Sequence, residues 1–331
     1  MSMDDLVADI DLQALRVVRA IGDTGSITAA AESLGYSQPA VSQQIRRLEG
    51  RIGMAVVERV GRSVRLTQAG RVLAQHAGDI ARTLEAAAGE LAELRGSHTG
   101  HVRLAGFPSA SPTIVPLLLA DVTGQHPGIT VTYVEAEPPE AVAAVREGRA
   151  DVALTFSYPG DRDDPHGDSA HGLAVHAIGY DELFLVVPED DGMATATTAA
   201  DVRAFADADW IAGCPRCRGH LLELCGRAGF VPRIAFETDN IVAVESLVAR
   251  GTGVATLPRL AVESFPVIPG VRTLPLPHAE RRTLHVVTAR GADRVPPIRV
   301  VLAALGRATR QAGAGTPVAR GASGPARPER T

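Results

Sequence analysis

Ser26-Ile27-Thr28-Ala29-Ala30-Ala31-Glu32-Ser33-Leu34-Gly35-Tyr36-Ser37-Gln38-Pro39-Ala40-Val41-Ser42-Gln43-Gln44-Ile45-Arg46-Arg47-Leu48-Glu49 reads as two helices joined by a tight turn. Ser26 suits the N-cap of the first helix, its hydroxyl accepting an orphan backbone N–H. Ala29, Ala30 and Ala31 keep that helix thin enough for another to approach closely. Gly35-Tyr36 turns the chain and Ser37 caps the next helix. Pro39 falls in its first turn, where the missing N–H costs nothing. Val41, Ile45 and Leu48 recur at i, i+4 and i+7 and form a core face. The opposite face carries Gln38, Pro39, Ser42, Gln43 and Arg46. A glutamine can pair bidentately with adenine, and an arginine with guanine or phosphate, in a major groove. A lone polar helix face is usually just solvated; here the preceding helix and turn make a groove-reading helix the better account.

Upstream, Leu12, Leu15, Val18 and Ile21 lie at spacings of three, so residues 11–21 form a helix with one apolar face, ended by Gly22-Asp23-Thr24-Gly25. Downstream, Val56-Val57-Glu58-Arg59 and Val64-Arg65-Leu66-Thr67 read as a hairpin with Gly61 and Arg62 at its tip. Beside a recognition helix such a hairpin is a wing, and its arginines can reach phosphates or the minor groove. Net charge over the 331 residues is −5, but residues 37–66 hold six arginines against two acids, a local balance of +4. A small basic face binds phosphate even on an acidic chain. All basic side chains other than histidine are arginine, which reflects codon usage, not mechanism.

Residues 10–67 resemble the winged helix-turn-helix of LysR-type transcriptional regulators. The resemblance is carried by Gly25-Ser26-Ile27, Ala30-Ala31, Leu34, Ser37-Gln38-Pro39-Ala40-Val41-Ser42, Ile45, Leu48-Glu49, Gly53, Glu58-Arg59 and Leu66-Thr67-Gln68-Ala69-Gly70. Val56-Val57 departs from the Leu-Phe usual in the family, a change in packing under the wing and not on the DNA face. The DNA contacts to expect are Ser26, Ser37, Gln38, Pro39, Ser42, Gln43, Arg46, Arg62 and Arg65.

Residues 67–95 read as one long helix. Leu73, Ala77, Ile80, Leu84, Ala87, Leu91 and Leu94 alternate at spacings of four and three, the repeat of a coiled-coil seam. A single amphipathic helix docked on its own domain is the other reading. In the family this element joins two chains, so Leu73, Ala77, Ile80, Leu84, Leu91 and Leu94 are the expected dimer contacts. A flexible hinge at 96–100 follows.

From His101 onward strands and helices alternate, which argues parallel sheets with helices on their faces. Strands are expected at 102–105, 129–134, 151–156, 183–187, 210–211, 234–236, 254–257 and 283–287. Helices are expected at 112–125, 139–146, 217–228, 241–249 and 297–305, with an acidic surface loop at 158–172. The resemblance implies two α/β lobes similar to periplasmic binding proteins. The chain would cross between them near 157–178 and return near 270–282. The expected fold is α/β overall: a winged helix-turn-helix (1–67), a linker and dimerisation helix (68–97), an effector-binding region (98–310) and a disordered tail (311–331). Lobe I would hold about 98–160 plus 282–310, and lobe II about 176–275.

Ligands in such folds sit between lobes, at strand ends and helix N-termini. Pro108-Ser109-Ala110-Ser111 follows the first strand and offers hydroxyls and free N–H groups to a carboxylate or similar anion. Ser111 can equally be a plain helix cap. On the facing half, Cys214 and Arg216 hold the equivalent loop, with Arg216 the one obvious cation for an anion. Glu137, Asp239, Asn240 and Thr256 are further candidates. Cys214-Pro215-Arg216-Cys217 has C-x-x-C spacing, with Cys225 eight residues on. Three readings stand open: structural thiols, a redox switch using Cys214, Cys217 and Cys225, or a metal site completed by a residue such as His220. A thiol at a helix N-terminus near Arg216 and Arg218 would be unusually acidic. Peroxide sensors of the family place a cysteine pair in this half, and Cys225-Gly226-Arg227-Ala228-Gly229 is similar to the context of their second cysteine.

His166, His171 and His176 read as loop residues, and Gly251-Thr252-Gly253 as a helix end. No hydrolytic triad or zinc-protease motif is present, so no enzyme is expected, and no resident cofactor or metal. The acidic N-terminus lacks a secretion signal and no apolar run is long enough to span a membrane, so a cytoplasmic location is expected. The expected partners are double-stranded DNA with an interrupted palindrome, a small-molecule effector, and further copies of the chain in a homodimer or homotetramer.

Overall fold

The computed structural model describes residues 10–61, 63–94, 99–159, 170–189, 201–264, 268–277 and 280–315. Arg62, the hinge residues 96–98, His166 with most of its loop, and the tail beyond 315 lie outside the described residues, as does the side chain of Leu94.

Helices α1 (Leu12–Thr24), α2 (Ile27–Leu34) and α3 (Gln38–Ile52) begin where capping side chains allow. Asp11, Ser26 and Ser37 accept the backbone N–H of Ala14, Ala29 and Ala40 respectively. Each helix ends at a left-handed glycine, Gly25, Gly35 or Gly53. Val18, Ile21, Ala30, Ala31, Val41, Ile45 and Leu48 close one core, while Leu12 stays partly exposed at its edge. Strands β1 (Val57–Val60) and β2 (Ser63–Leu66) form the antiparallel wing. The Glu49 carboxylate accepts the backbone N–H of Val56 at 2.8 Å and so ties the wing to α3.

Helix α4 (Gln68–Leu94) starts against the wing; a side chain on Gly70 would meet the Val56 carbonyl at 2.1 Å. Its seam divides. Leu73 and Ala77 are buried in the core of α1–α3, whereas Ile80, Leu84 and Leu91 are exposed. The expectation that all six seam positions face a second chain is therefore corrected for Leu73 and Ala77: the first two turns of α4 are spent on the chain's own domain.

The rest of the chain builds two sheets joined by one long strand. Strands β3 (Gly100–Gly106), β4 (Ile129–Glu135) and β5 (Val152–Ser157) run parallel, with α5 (Ile114–Gln125) and α6 (Pro138–Arg146) between them. Strand β6 (Leu173–Pro188) is far longer than the five residues expected. Its first part pairs with β11 (Arg281–Ala289), which also pairs antiparallel with β5. Its second part pairs with β9 (Val254–Pro258) and with β10 (Val271–Pro275), a strand the sequence reading missed. The passage between sheets thus lies inside β6, between Glu182 and Leu183, and not in the loop before it. The second sheet adds β7 (Asp209–Ala212) and β8 (Arg233–Glu237), with α7 (Pro215–Arg227), α8 (Ile241–Val248) and the short α9 (Arg259–Val262) around it.

Helix α10 (Pro296–Gln311) returns to the first sheet. Disorder from 311 is corrected: Gln311 completes α10, Ala314 is buried, and Gly315 exchanges two backbone hydrogen bonds with Tyr180 of β6. A side chain at Gly315 would strike the Tyr180 ring at 2.0 Å, which explains why the chain end can lie so close. Among the described residues no helix is long and apolar enough to cross a membrane.

Candidate functional site

On α3 the capping Ser37 leaves Gln38, Pro39, Gln43 and Arg46 exposed along one face, with Ser42 half-buried between them. Gln38 Nε2 donates to Ser42 Oγ at 2.9 Å, and Arg46 Nε donates to the Ser42 carbonyl at 3.2 Å. These are weak exposed bonds, readily exchanged for a base edge or a phosphate. Ser26 caps α2, its hydroxyl accepting the Ala29 backbone N–H. Arg65 differs from expectation: its guanidinium is paired across the wing with Glu58 at 2.7 Å, so its charge is already partly used. Arg59, on the opposite strand of the wing, is exposed.

The second site is a cleft between the two sheets, enclosing about 590 Å³ with its open mouth. It is built where strands end. Phe107, Pro108 and Ser109 follow β3, Glu137 follows β4, Cys214 follows β7, and Asp239 follows β8. Thr256 of β9 also lines it. Several expected residues are elsewhere. Ala110 is fully buried behind the loop. Ser111 donates to Glu135 at 2.6 Å and lies 2.9 Å from the Tyr133 hydroxyl, turned from the cleft. Asn240 caps α8 through Ala243, and Arg216 does not line the cleft.

The cation in the cleft is Arg282, which the sequence reading missed. It is 3% exposed, lies 4.7 and 4.5 Å from the Phe107 and Phe156 ring centres, and donates to Ser109 Oγ at 2.6 Å. Its charge is paired with Asp181 at 2.8 Å. Burial opposes the guanidinium charge most strongly, but Asp181, together with Tyr158 and Cys217, more than offsets it and raises Arg282 above the ordinary value. A signal existed: Arg282 shares the buried face of β11 with Leu284 and Val286, and an arginine in an inward register must have a partner.

Two carboxylates also face the space. Burial, reinforced by the neighbouring Asp239, pushes Glu137 up to about 7. Burial likewise raises Asp239. The thiols of Cys214 and Cys217 lie 2.9 Å apart as free cysteines at the start of α7. The hydrogen bond between them raises Cys214 and lowers Cys217, so Cys217 is the more acidic thiol. The Tyr158 hydroxyl lies 3.5 Å from Cys217 Sγ, and its ring stacks on His220 at 4.2 Å. His220 Nε2 in turn lies 3.2 Å from Glu280, so it is not brought to the cysteines as a fourth ligand. Cys225 is fully buried further along α7, its thiol pushed up to about 11 by burial. His171 and His176 are exposed and form no cluster among the described residues.

This pairing of an exposed groove-reading helix with a two-sheet cleft agrees with known proteins. Residues 12–71 match the bacterial regulatory helix-turn-helix protein of the lysR family, and residues 95–310 match the LysR substrate binding domain. The regulator YcgK of Bacillus subtilis is 28% identical over 296 residues, covering 83% of this chain and 87% of that protein. A hydrogen peroxide-inducible genes activator of Haemophilus influenzae is 24% identical over 86% of this chain and 92% of its own. Among solved structures, a full-length OxyR variant from Pseudomonas aeruginosa superposes with a TM-score of 0.70 at 20% identity, over 89% of this chain and 94% of that one. The chain belongs to the LysR family of transcriptional regulators.

Proposed function

We propose that this DNA-binding regulator acts in the cytoplasm as a homodimer or homotetramer, and that a ligand in the inter-lobe cleft controls how its α3 helices are presented to an interrupted palindrome. Ser26, Ser37, Gln38, Pro39, Ser42, Gln43 and Arg46 are the proposed DNA face. Exposed Ile80, Leu84 and Leu91 are the proposed seam between copies. Residues 1–67, 68–97 and 98–310 serve as reader, linker and sensor, with the lobes exchanging at about residue 182. Ligand closure shifts a population between arrangements and involves no reaction.

The observation that carries the ligand reading is the unbalanced charge of the cleft. Arg282 is already paired with Asp181, while Asp239 and Glu137, the latter pushed up to about 7 and so partly protonated, face the same space with no ion pair to an arginine among the described residues. This favours a cationic or hydrogen-bond-donating ligand over the anion the sequence suggested. Filling the cleft tests it. Thr256→Trp is expected to abolish the ligand response of a promoter reporter while leaving DNA binding intact. An unchanged response would remove the cleft from the mechanism.

A redox input is the second reading, favoured by the 2.9 Å approach of the two thiols and by relatives named as peroxide-inducible activators. Two thiols would lose two protons and two electrons to a peroxide, forming one S–S bond as the peroxide O–O bond breaks and its oxygens leave as water or alcohol. Mass spectrometry after mild peroxide treatment reads the loss of two hydrogens, and no mass change would end this reading.

A further inference from the structure

We propose that the cleft ligand is a thiophilic divalent metal ion of the Zn²⁺ class, held by Cys214, Cys217, Asp239 and Glu137; this rests on the reading of the cleft as the sensing site. The donor atoms of Glu137, Cys214 and Asp239 lie within 4.8 Å of one another. Cys217 Sγ stands 2.9 Å from Cys214 Sγ. It shares the space over Gly213 with Asp239: a Cβ on that glycine would lie 3.8 Å from Cys217 Sγ and 3.9 Å from Asp239 Oδ1. Gly213 thus borders both Cys217 and Asp239, which places the second thiol beside the cluster of Glu137, Cys214 and Asp239.

Two further features prepare the donors. Glu137 Oε2 is shut off from solvent and makes no hydrogen bond among the described residues, so a buried acceptor waits for a positive partner. The backbone N–H of Cys217 donates to Cys214 Sγ at 3.3 Å, which fixes the direction of that sulfur at the start of α7. Two sulfurs and two carboxylates make a tetrahedral set suited to Zn²⁺, and the sulfurs select against Mg²⁺ and Ca²⁺. With Zn–S of about 2.3 Å and Zn–O of about 2.1 Å, tetrahedral donors stand roughly 3.5–3.8 Å apart. Side-chain rotation must therefore part the two sulfurs from 2.9 Å, draw Glu137 and Asp239 in from their present spread of up to 4.8 Å, and bring Cys217 into that group. Coordination breaks two S–H bonds and also displaces the proton from the fraction of Glu137, pushed up to about 7, that still carries one; all are released to solvent. Four anionic donors then meet the double positive charge.

The placement gives the ion a regulatory role. Glu137 stands at the start of α6 against the first sheet, while Cys214 and Asp239 follow strands of the second and Cys217 lies in the first turn of α7. One ion would join the lobes where they open.

The experiment uses the reduced full-length chain with Co²⁺ and Zn²⁺ as probes. The expected result is one ion per chain and a thiolate-to-cobalt charge-transfer band that Zn²⁺ displaces. Cys214→Ser should leave at most about half the band, carried by Cys217, and Asp239→Asn should weaken binding at least about tenfold. Asp239 is exposed, so its variant decides the matter even where Cys214→Ser fails to fold. Absence of the band, or binding by Asp239→Asn as tight as by the unaltered chain, overturns the metal. If the band is absent while Thr256→Trp still uncouples the reporter, the metal falls and the cleft reading stands.

Discussion

The α3 face and the inter-lobe cleft are both polar surfaces on a scaffold of buried aliphatic residues, yet they are assembled in opposite ways. The α3 face is made by neighbouring residues of one helix, exposed except for the half-buried Ser42, joined by bonds spanning four residues. The cleft is made by strand ends far apart in the chain, and its central contact, Arg282 to Ser109, spans 173 residues. The first can lose a side chain without disturbing the fold. The second is part of the core it sits in.

The sharpest break in that comparison is expected from Arg282→Ala. It strands the Asp181 carboxylate, which is 2% exposed, and should cost about 3–5 kcal/mol in a urea melt. A smaller loss would mean that solvent reaches the pair. Leu84→Glu comes next. Leu84 is 49% exposed, so the melt should barely move, while sedimentation shows dissociated chains and operator affinity falls by about a hundredfold through lost avidity. Arg46→Ala should weaken operator binding by about 1–3 kcal/mol with an unchanged melting curve, and retained affinity would remove Arg46 from the DNA face.

The smallest effect concerns Glu280. The close approach of His220 at 3.2 Å, helped by Arg227 and opposed by burial, holds its carboxyl below the usual 4.5. A lowered carboxylate stabilises the fold above its unfolded value, and that contribution is lost as pH falls through the folded one. Glu280→Gln should therefore flatten the acid limb of a stability-against-pH curve below about pH 4.5 and leave the neutral region with a constant offset.

How much was legible follows from the same contrast. Ser26, Ser37 and Pro39 announce α2 and α3 because caps and first-turn prolines act within four residues. The LysR pattern then supplied the lobes and their order. What stayed hidden needed distance. Leu73 and Ala77 satisfy a coiled-coil repeat and an intramolecular core equally well, and only the position of α1 decides between them. Ser111 looked like a ligand group until Tyr133 and Glu135 took its hydroxyl. Arg216 looked like the cleft's cation because it is near Cys214 in sequence, whereas Arg282 reaches the cleft from a strand that returns late.

That late return also bears on how the chain is made. The core around α1–α3 uses residues up to Ala77, so it can close while most of the protein is still being synthesised. The first sheet cannot: β5 and the early part of β6 wait for β11, and Tyr180 waits for Gly315. During synthesis the nascent chain would thus present a finished DNA reader before a finished sensor. A ribosome paused between about residues 190 and 280 would hold half a sheet with its edge uncovered, the stretch in which a chaperone would be most needed.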